Sequence, residues 1–395
     1  MDFTPAPEQT AARDLAAEIF ADLATHQRLS ALGDGTDAEL WKALCGAGLV
    51  SAVEEIGLVG LALLLEEQGR HTAQVPLAAT CVYGLLPVAA HGTAEQRARL
   101  LPGLRDGTTV ATGTFPLLRE REGVRAGEDG RLSGTVPLVP WLRDADLVLV
   151  PARCERDGGV RLFLVGTGQR GLTVTPLGTT APWAAGRLEM TGARGEPLGG
   201  EAVYGDGARE KERVDGGEGV GGPACGDEAC GDEVCGDEVC GRTLDRARTA
   251  FAALQAGVCA GSLARAVAHT CEREQFGRPL STNQAVQMRA ADAHLDTEAI
   301  RVTCYEAAWR HDAGLPAHTH ALTAAWWAAE AGRRVVHAGQ HLHGGVGADL
   351  THPVHRHFLW GRQLAAQLGS PAALLDELGR ALSAPERDTE WRELL

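Results

Sequence analysis

The sequence predicts an α+β protein in three structural parts. An N-terminal helical domain (residues 1–108) precedes a middle β domain (109–200), and a C-terminal four-helix bundle (242–388) follows an acidic segment (201–241). Three textures carry this reading. Apolar residues recur at helical spacing to about residue 105, short Val- and Leu-rich segments fill 110–200, and alanine-rich helical patterns resume at Leu244. With 395 residues the chain can bury a large core across two or three layers.

In the first part, L-W-K-A-L-C-G-A-G-L-V and V-G-L-A-L-L-L-E-E-Q-G-R have helical spacing, the second ending in a polar turn. Thr93 followed three residues later by Gln96 suits a capping box, and Pro102 with Gly103 is expected to stop that helix. In the second part, G-R-L-S-G-T-V-P-L-V, A-D-L-V-L-V-P-A-R, R-L-F-L-V, G-L-T-V-T-P-L and R-L-E-M-T-G read as short strands of a sandwich or barrel.

Residues 201–240 hold 12 Asp or Glu against 3 Lys or Arg, a net charge of -9 out of -15 for the whole chain. Rich in glycine and poor in large apolar side chains, the segment cannot offset its ordering entropy, so 201–241 is expected to be a disordered insert. Cys225, Cys230, Cys235 and Cys240 recur every five residues there. That spacing does not match a zinc knuckle, and acidic neighbours disfavour thiolates, so a solvated repeat is the expectation and no metal is assigned. Cys45, Cys81, Cys154, Cys259, Cys271 and Cys304 are scattered and read as small buried hydrophobes.

Four long helical stretches are expected beyond Leu244, beginning at L-D-R-A-R-T-A-F, Q-A-V-Q-M-R-A-A, H-T-H-A-L-T-A-A and H-R-H-F-L-W-G-R. The net charge argues against nucleic acid as a partner. No run of apolar residues long enough for a membrane span is read. M-D-F-T-P-A-P-E-Q-T has neither the basic region nor the apolar run of a secretory signal, so the cytoplasm is the expected compartment.

Two stretches invite a chemical reading. In R-E-Q-F-G-R-P-L-S-T-N-Q, Arg273 and Phe276 sit beside a helix end, where a guanidinium can fork onto phosphate oxygens and a ring can cover a flat heterocycle. Gln284 begins or precedes the next helix and can present an amide to the same space. A plain helix hairpin is the bland alternative. In H-L-H-G-G-V-G, Gly344, Gly345 and Gly347 let backbone approach a ligand and gather N–H groups into an anion-binding concavity, beside His341. A glycine-bounded helix junction is the alternative there.

Taken together, these motifs resemble the acyl-CoA dehydrogenase family of flavoproteins. The family pattern R-x-x-F-G-x-x-x-x-x-x-Q is matched by Arg273, Phe276, Gly277 and Gln284, and Q-x-x-G-G-x-G by Gly344, Gly345 and Gly347. E-Q-G-R around Gly69 is similar to the family's E-E-L-G-R, and L-S-G-T-V-P-L-V to its β-domain L-N-G-x-K. The resemblance covers nearly all of 6–385 except the acidic insert. It implies FAD as cofactor, an acyl-CoA thioester as substrate, and α,β-desaturation in which a carboxylate removes the α-proton and the β-hydrogen leaves as hydride. It also implies dimers or dimers of dimers, with Arg273, Phe276, Gln284, His341, Gly344, Gly345 and Gly347 binding flavin across a subunit boundary.

The match fails where the base belongs. The two positions the family uses are Leu368, followed by Gly369, and Ala247. Neither accepts a proton, so no catalytic residue is assigned. His341 stands at the family's glutamine, with Gln340 adjacent, and G-T-F-P-L-L-R-E-R-E-G-V replaces the T-E-P-G-x-G-S-D loop. Asp245 and Asp349 are the substitute acids considered. Asp245 is two residues from Ala247 and so on a different helix face; caps or surface charges are the favoured reading of both. His337 and His341 share a helix face that suits a metal pair, but no nearby acid completes a site, and the histidines from His337 to His357, including His343, His352 and His355, are read mainly as packing, phosphate or adenine contacts, and surface. Trp326, Trp327 and Trp360 are read as core or subunit contacts, and Arg333 and Arg334 as solvated or phosphate-facing.

The favoured expectation is a base-lacking subunit of an α2β2 acyl-CoA dehydrogenase that completes the flavin site of a homologous catalytic partner. The alternatives are a self-sufficient homodimer or homotetramer with a non-standard base, and a degenerate scaffold without flavin.

Overall fold

Among the described residues, seven helices form the N-terminal region: α1 (Pro7–Leu23), α2 (His26–Ala31), α3 (Ala38–Gly46), α4 (Val53–His71), α5 (Leu77–Thr80), α6 (Leu86–His91) and α7 (Ala94–Asp106), with a π-helical turn at Cys81–Leu85 between α5 and α6. The computed structural model describes residues 4–114, 123–200 and 236–383, without the side chains of residues 236 and 237. The capping box at α7 is present: Thr93 Oγ1 accepts from the Gln96 amide at 3.1 Å, and Gln96 Oε1 accepts from the Thr93 amide at 3.0 Å. Pro102 lies inside α7, which runs on to Gly107 in the left-handed region. The expected stop at Pro102–Gly103 is corrected because Leu101 and Leu104 are buried and hold the turn through the proline.

Among the described residues the middle region is one sheet of eight strands. These are β1 (Ala111–Gly113), β2 (Arg125–Ala126), β3 (Arg131–Val139), β4 (Leu147–Cys154), β5 (Val160–Gly166), β6 (Leu172–Pro176), β7 (Gly186–Arg194) and β8 (Glu196–Pro197). They run in the order β6-β7-β3-β2-β4-β5-β8, with β1 parallel to the start of β4. A separate apolar core containing Leu132, Val148, Val150, Phe163, Val165 and Leu188 packs within it.

Among the described residues the C-terminal bundle has five helices where four were expected: α8 (Gly236–Glu272), α9 (Gln284–Asp312), α10 (His318–Leu342), α11 (Val354–Leu368) and α12 (Pro371–Ser383). α8 starts inside the segment expected to be disordered. Residues 236–241 are helical, with Val239 and Cys240 buried, so Cys240 belongs to the core and not to a solvated repeat. Cys225, Cys230 and Cys235 lie outside the described residues, as does most of the 201–241 insert. Among the scattered cysteines, Cys81, Cys154, Cys259 and Cys304 are buried as expected, whereas Cys271 is exposed.

α4 crosses α8 backbone to backbone. A Cβ on Gly69 would stand 2.4 Å from the Leu254 carbonyl oxygen, and one on Gly257 would stand 2.1 Å from that of Glu66. The E-Q-G-R motif is therefore legible as packing, since only glycine allows this approach. α4 is kinked at Gly57 (φ 71°), where the Asp312 carboxylate at the end of α9 accepts from the Leu58 and Val59 amides at 2.7 and 2.9 Å. Among the described residues one helical stretch, Glu238–Glu272, is long and apolar enough to cross a membrane, and 72% of its apolar window is buried in this fold.

Candidate active site

The last turn of α8 leads into a two-stranded hairpin, β9 (Glu274–Gln275) and β10 (Arg278–Pro279). Its two connecting residues, Phe276 (φ 54°) and Gly277 (φ 75°), are both left-handed, as a type I′ turn requires. The Leu280 amide donates to the Arg273 carbonyl at 2.9 Å, and Asn283 Oδ1 caps α9 by accepting from the Ala285 amide. Arg273 and Gln284, the first residue of α9, are exposed. The Phe276 ring is 101% exposed, on a backbone that an aromatic residue rarely adopts.

The glycine turn follows α10. Gly344 (φ 63°) and Gly345 are exposed, with open space where a side chain would stand. Gly347 is buried, and a Cβ there would lie 2.4 Å from the Gln340 carbonyl oxygen, which gives this glycine a packing reason of its own. Gln340 Nε2 donates to the Gly347 carbonyl at 3.2 Å, while His341 is exposed. Hairpin and glycine turn share one corner of the bundle: the His269 ring, one turn before Arg273, stacks on His343 with centroids 4.7 Å apart. A groove of about 760 Å³ opens beside Gln284 between α9 and α10, lined by Met288, Arg289, Asp292, Leu295, Arg334 and His337.

Ala247 and Leu368, where the resemblance puts a base, are 3% and 6% exposed among apolar neighbours. The substitute acids are occupied. Asp245 is buried, with its carboxylate accepting from His318 Nδ1 at 2.9 Å and 3.8 Å from Arg248. That hydrogen bond raises the His318 imidazole above its ordinary value. Arg248 also pairs with Glu377 at 2.8 Å. Asp349 is exposed and accepts from the Thr351 amide and hydroxyl, both at 2.8 Å, which lowers its carboxyl and makes it a turn former. Of the residues G-T-F-P-L-L-R-E-R-E-G-V, positions 115–122 lie outside the described residues.

Two features were not read from the sequence. Glu66 is a buried carboxylate inside apolar α4, raised by burial and opposed by Arg301, whose Nε is 3.2 Å away. Its charge in an otherwise apolar helix body was the available signal. Trp141, Trp183 and Trp360 line up across the seam between sheet and bundle, at 6.1 Å stacked and 5.2 Å edge-on. Trp360, expected as a core or subunit-contact residue, is buried in the core; Trp141 and Trp183 were not singled out. Arg334, left open as solvated or phosphate-facing, pairs with Asp296 and Glu330, both at 2.8 Å.

A helix–sheet–helix chain with an exposed arginine–phenylalanine hairpin beside an open glycine turn has the architecture of a flavin-dependent dehydrogenase. The model for the N-terminal domain of acyl-CoA dehydrogenases matches residues 6–108, and that for the C-terminal domain matches 236–383. FadE27, an acyl-CoA dehydrogenase of Mycobacterium tuberculosis, is 34% identical over 91% of this chain and 92% of its own. The chain belongs to the acyl-CoA dehydrogenase family, whose members are flavoprotein oxidoreductases. Among solved structures, a variant of the Tcur3481-Tcur3483 steroid acyl-CoA dehydrogenase is 39% identical with a TM-score of 0.82, over 96% of this chain and 99% of that one. The ChsE4-ChsE5 complex from Mycobacterium tuberculosis is 31% identical with a TM-score of 0.82, over 98% of this chain and 100% of that one.

Proposed function

We propose that this chain is one subunit of a mixed acyl-CoA dehydrogenase: it lacks a base of its own and completes the FAD site of a homologous catalytic subunit. One observation carries the reading. The corner that could grip a nucleotide is open and directed away from this chain's own core, while the positions for a base hold buried Ala247 and Leu368. Two of the similar solved structures are named as pairs of distinct chains, which supports a homologous partner over a second copy.

The residues at the corner fit the nucleotide half of FAD. The Arg273 guanidinium would take the pyrophosphate, Phe276 would cover a flat ring, and Gln284 with His341 would add polar edges. Gly344 and Gly345 leave open space for close backbone approach. When bound, FAD supplies the acceptor for the β-hydride of an acyl-CoA. The α-proton goes to a carboxylate of the partner, because Asp245 is committed to His318 and Arg248 and Asp349 to Thr351. The exposed Met288 and Leu295 beside the groove are the proposed seat of the partner's helices.

Co-expression with homologous subunits, followed by flavin-to-chain stoichiometry, tests this. The expected result is a yellow complex with one FAD per two chains that bleaches on adding acyl-CoA, and no bleaching by this chain alone. A chain that is yellow by itself and reduces its flavin with acyl-CoA would carry its own base. A complex or chain that never binds flavin would leave only a scaffold.

A further inference from the structure

Gly261, Arg265 and His269 fall at successive helical turns on one face of α8. The two outer positions fix where that face points. A Cβ on Gly261 would lie 2.5 Å from His357 Nε2 on α11, and the His269 ring stacks on His343 at the end of α10. His343 in turn lies 4.9 Å from His352, in the loop leading into α11. Arg265, between these two contacts, therefore faces the same seam. It is half-buried, and it makes no hydrogen bond or ion pair among the described residues. Three other arginines withdrawn from solvent are paired: Arg248 with Glu377, Arg301 with Glu66, and Arg356 with Gln74 and the Leu29 and Thr72 carbonyls. Arg246 shares the lack of a partner among the described residues but has the Asp312 carboxylate nearby to offset its charge.

We propose that Arg265, His269 and His352 form a seat for a small phosphate-type oxyanion behind the glycine turn. The donors are available. The Val354 amide donates to His352 Nδ1 at 3.3 Å, so the neutral ring carries its proton on Nε2. His269 commits neither ring nitrogen to a protein partner among the described residues. His343 is committed, its Nδ1–H donating to the Gly339 carbonyl at 2.7 Å, and its ring forms one side of the seat, 4.7 Å from His269 and 4.9 Å from His352.

The surroundings are short of anions. His26 of α2 donates to the Thr351 carbonyl at 2.6 Å, His355 to the His352 carbonyl at 2.6 Å, and His357 to the Arg70 carbonyl at 2.9 Å. Asp349 is the carboxylate in this loop, and it is exposed and turned to Thr351. Burial, reinforced by neighbouring imidazoles and Arg265, holds His343 and His352 below the ordinary imidazole range. An unpaired part-buried guanidinium beside neutral imidazoles is the arrangement an oxyanion would complete, and its arrival would draw protons onto the rings. Binding is thus proton-linked and strengthens as the pH falls. The seat is independent of the flavin reading, since it uses none of the residues assigned to that site.

The test titrates inorganic phosphate into the full chain without flavin, at fixed ionic strength set with chloride, at pH 6 and pH 8. Saturable binding is expected; with affinities expressed per phosphate dianion, so that the ligand's own protonation between the two pH values is removed, it is tighter at pH 6 by about tenfold for each pH unit over which the protein takes up one proton. Arg265→Leu should weaken it at least tenfold with an unchanged circular dichroism spectrum. His269→Phe, which keeps a stacking ring and removes the donor, should weaken it too and stands in should Arg265→Leu not fold. Absence of saturable binding at pH 6, or wild-type affinity in the folded variants, overturns the proposal. Adenosine monophosphate binding more tightly than phosphate would overturn the free-ion form, assigning the seat to a nucleotide.

Discussion

Replacing Phe276 with Asn separates stability from binding. The Phe276 ring is 101% exposed, so the isolated chain loses no buried apolar area when it is removed. Its backbone sits at φ 54°, where a non-glycine residue is strained by roughly 1 kcal/mol and asparagine by less. Asn followed by Gly277 is also the pair most favoured in type I′ turns. The isolated chain should therefore gain about 0.5–1 kcal/mol in unfolding free energy, read from the denaturant midpoint at constant m-value. Binding should move the opposite way. A phenylalanine taken from full exposure to burial against a nucleotide or a partner contributes roughly 1.5–3 kcal/mol, so its loss should weaken flavin retention in the complex by about 10- to 100-fold. Fluorescence titration of FAD into the flavin-stripped complex measures that term. A destabilised isolated chain would show that the ring is packed, and an unchanged FAD affinity would remove Phe276 from the site; either result refutes the reasoning.

Three further outcomes follow from single contacts. Gly257→Ala brings a methyl to 2.1 Å from the Glu66 carbonyl oxygen and must push α4 off α8, so it should destabilise by about 1–3 kcal/mol or more, seen as a lowered thermal midpoint. Asp312→Ala leaves the Leu58 and Val59 amides without their acceptor at the α4 kink, a loss of about 1–3 kcal/mol, with faster hydrogen exchange at those two amides and slower-exchanging neighbours unchanged. The Asp245 hydrogen bond raises His318 above its unfolded value. The pair's contribution is therefore full below about pH 6.5 and declines as the pH rises through the higher folded value, a slope that His318→Gln should flatten in pH-dependent unfolding. A slope of opposite sign would mean that His318 is held neutral.

What was legible in the sequence was what depends on near neighbours. Thr93 and Gln96 cap α7 because both partners lie within one turn, and strands β3 to β7 announce themselves by apolar residues between turn residues, whereas the short β1, β2 and β8 do not. The hairpin at Phe276 was legible as a turn but not as type I′, because Phe-Gly is not the pair that such turns favour. Pro102 misled because a local breaker was outweighed by the burial of Leu101 and Leu104. The start of α8 at Gly236 was hidden by composition: the acidic repeat reads as solvated, yet Val239 and Cys240 find a core contributed by elements far away in sequence. Asp245 was weighed as a base from the sequence, but that His318 occupies it, a partner 73 positions later, is visible only in the fold. Site chemistry is carried by such pairings, and one sequence does not display them.

The two halves of the proposed division of labour answer to different physics. A carboxylate at 247 or 368 would stand at a position now 3% or 6% exposed and would need a cavity and a substrate to justify its desolvation. If, as proposed, the chain binds no thioester, alanine and leucine are the stable choices there, and the absence of a base at those positions follows from folding alone. Nothing in folding favours the other half. A bare phenylalanine ring on a left-handed backbone beside an exposed arginine weakens an isolated chain or leaves it unchanged, and an open Gly344–Gly345 pair adds backbone entropy to be lost. Such features stay compatible with a stable protein when something outside the chain offsets them by binding. On the proposed reading the strain at Phe276 is the measurable mark of the partner site, and a folded complex in which that ring remains as exposed as in the lone chain would be incompatible with it.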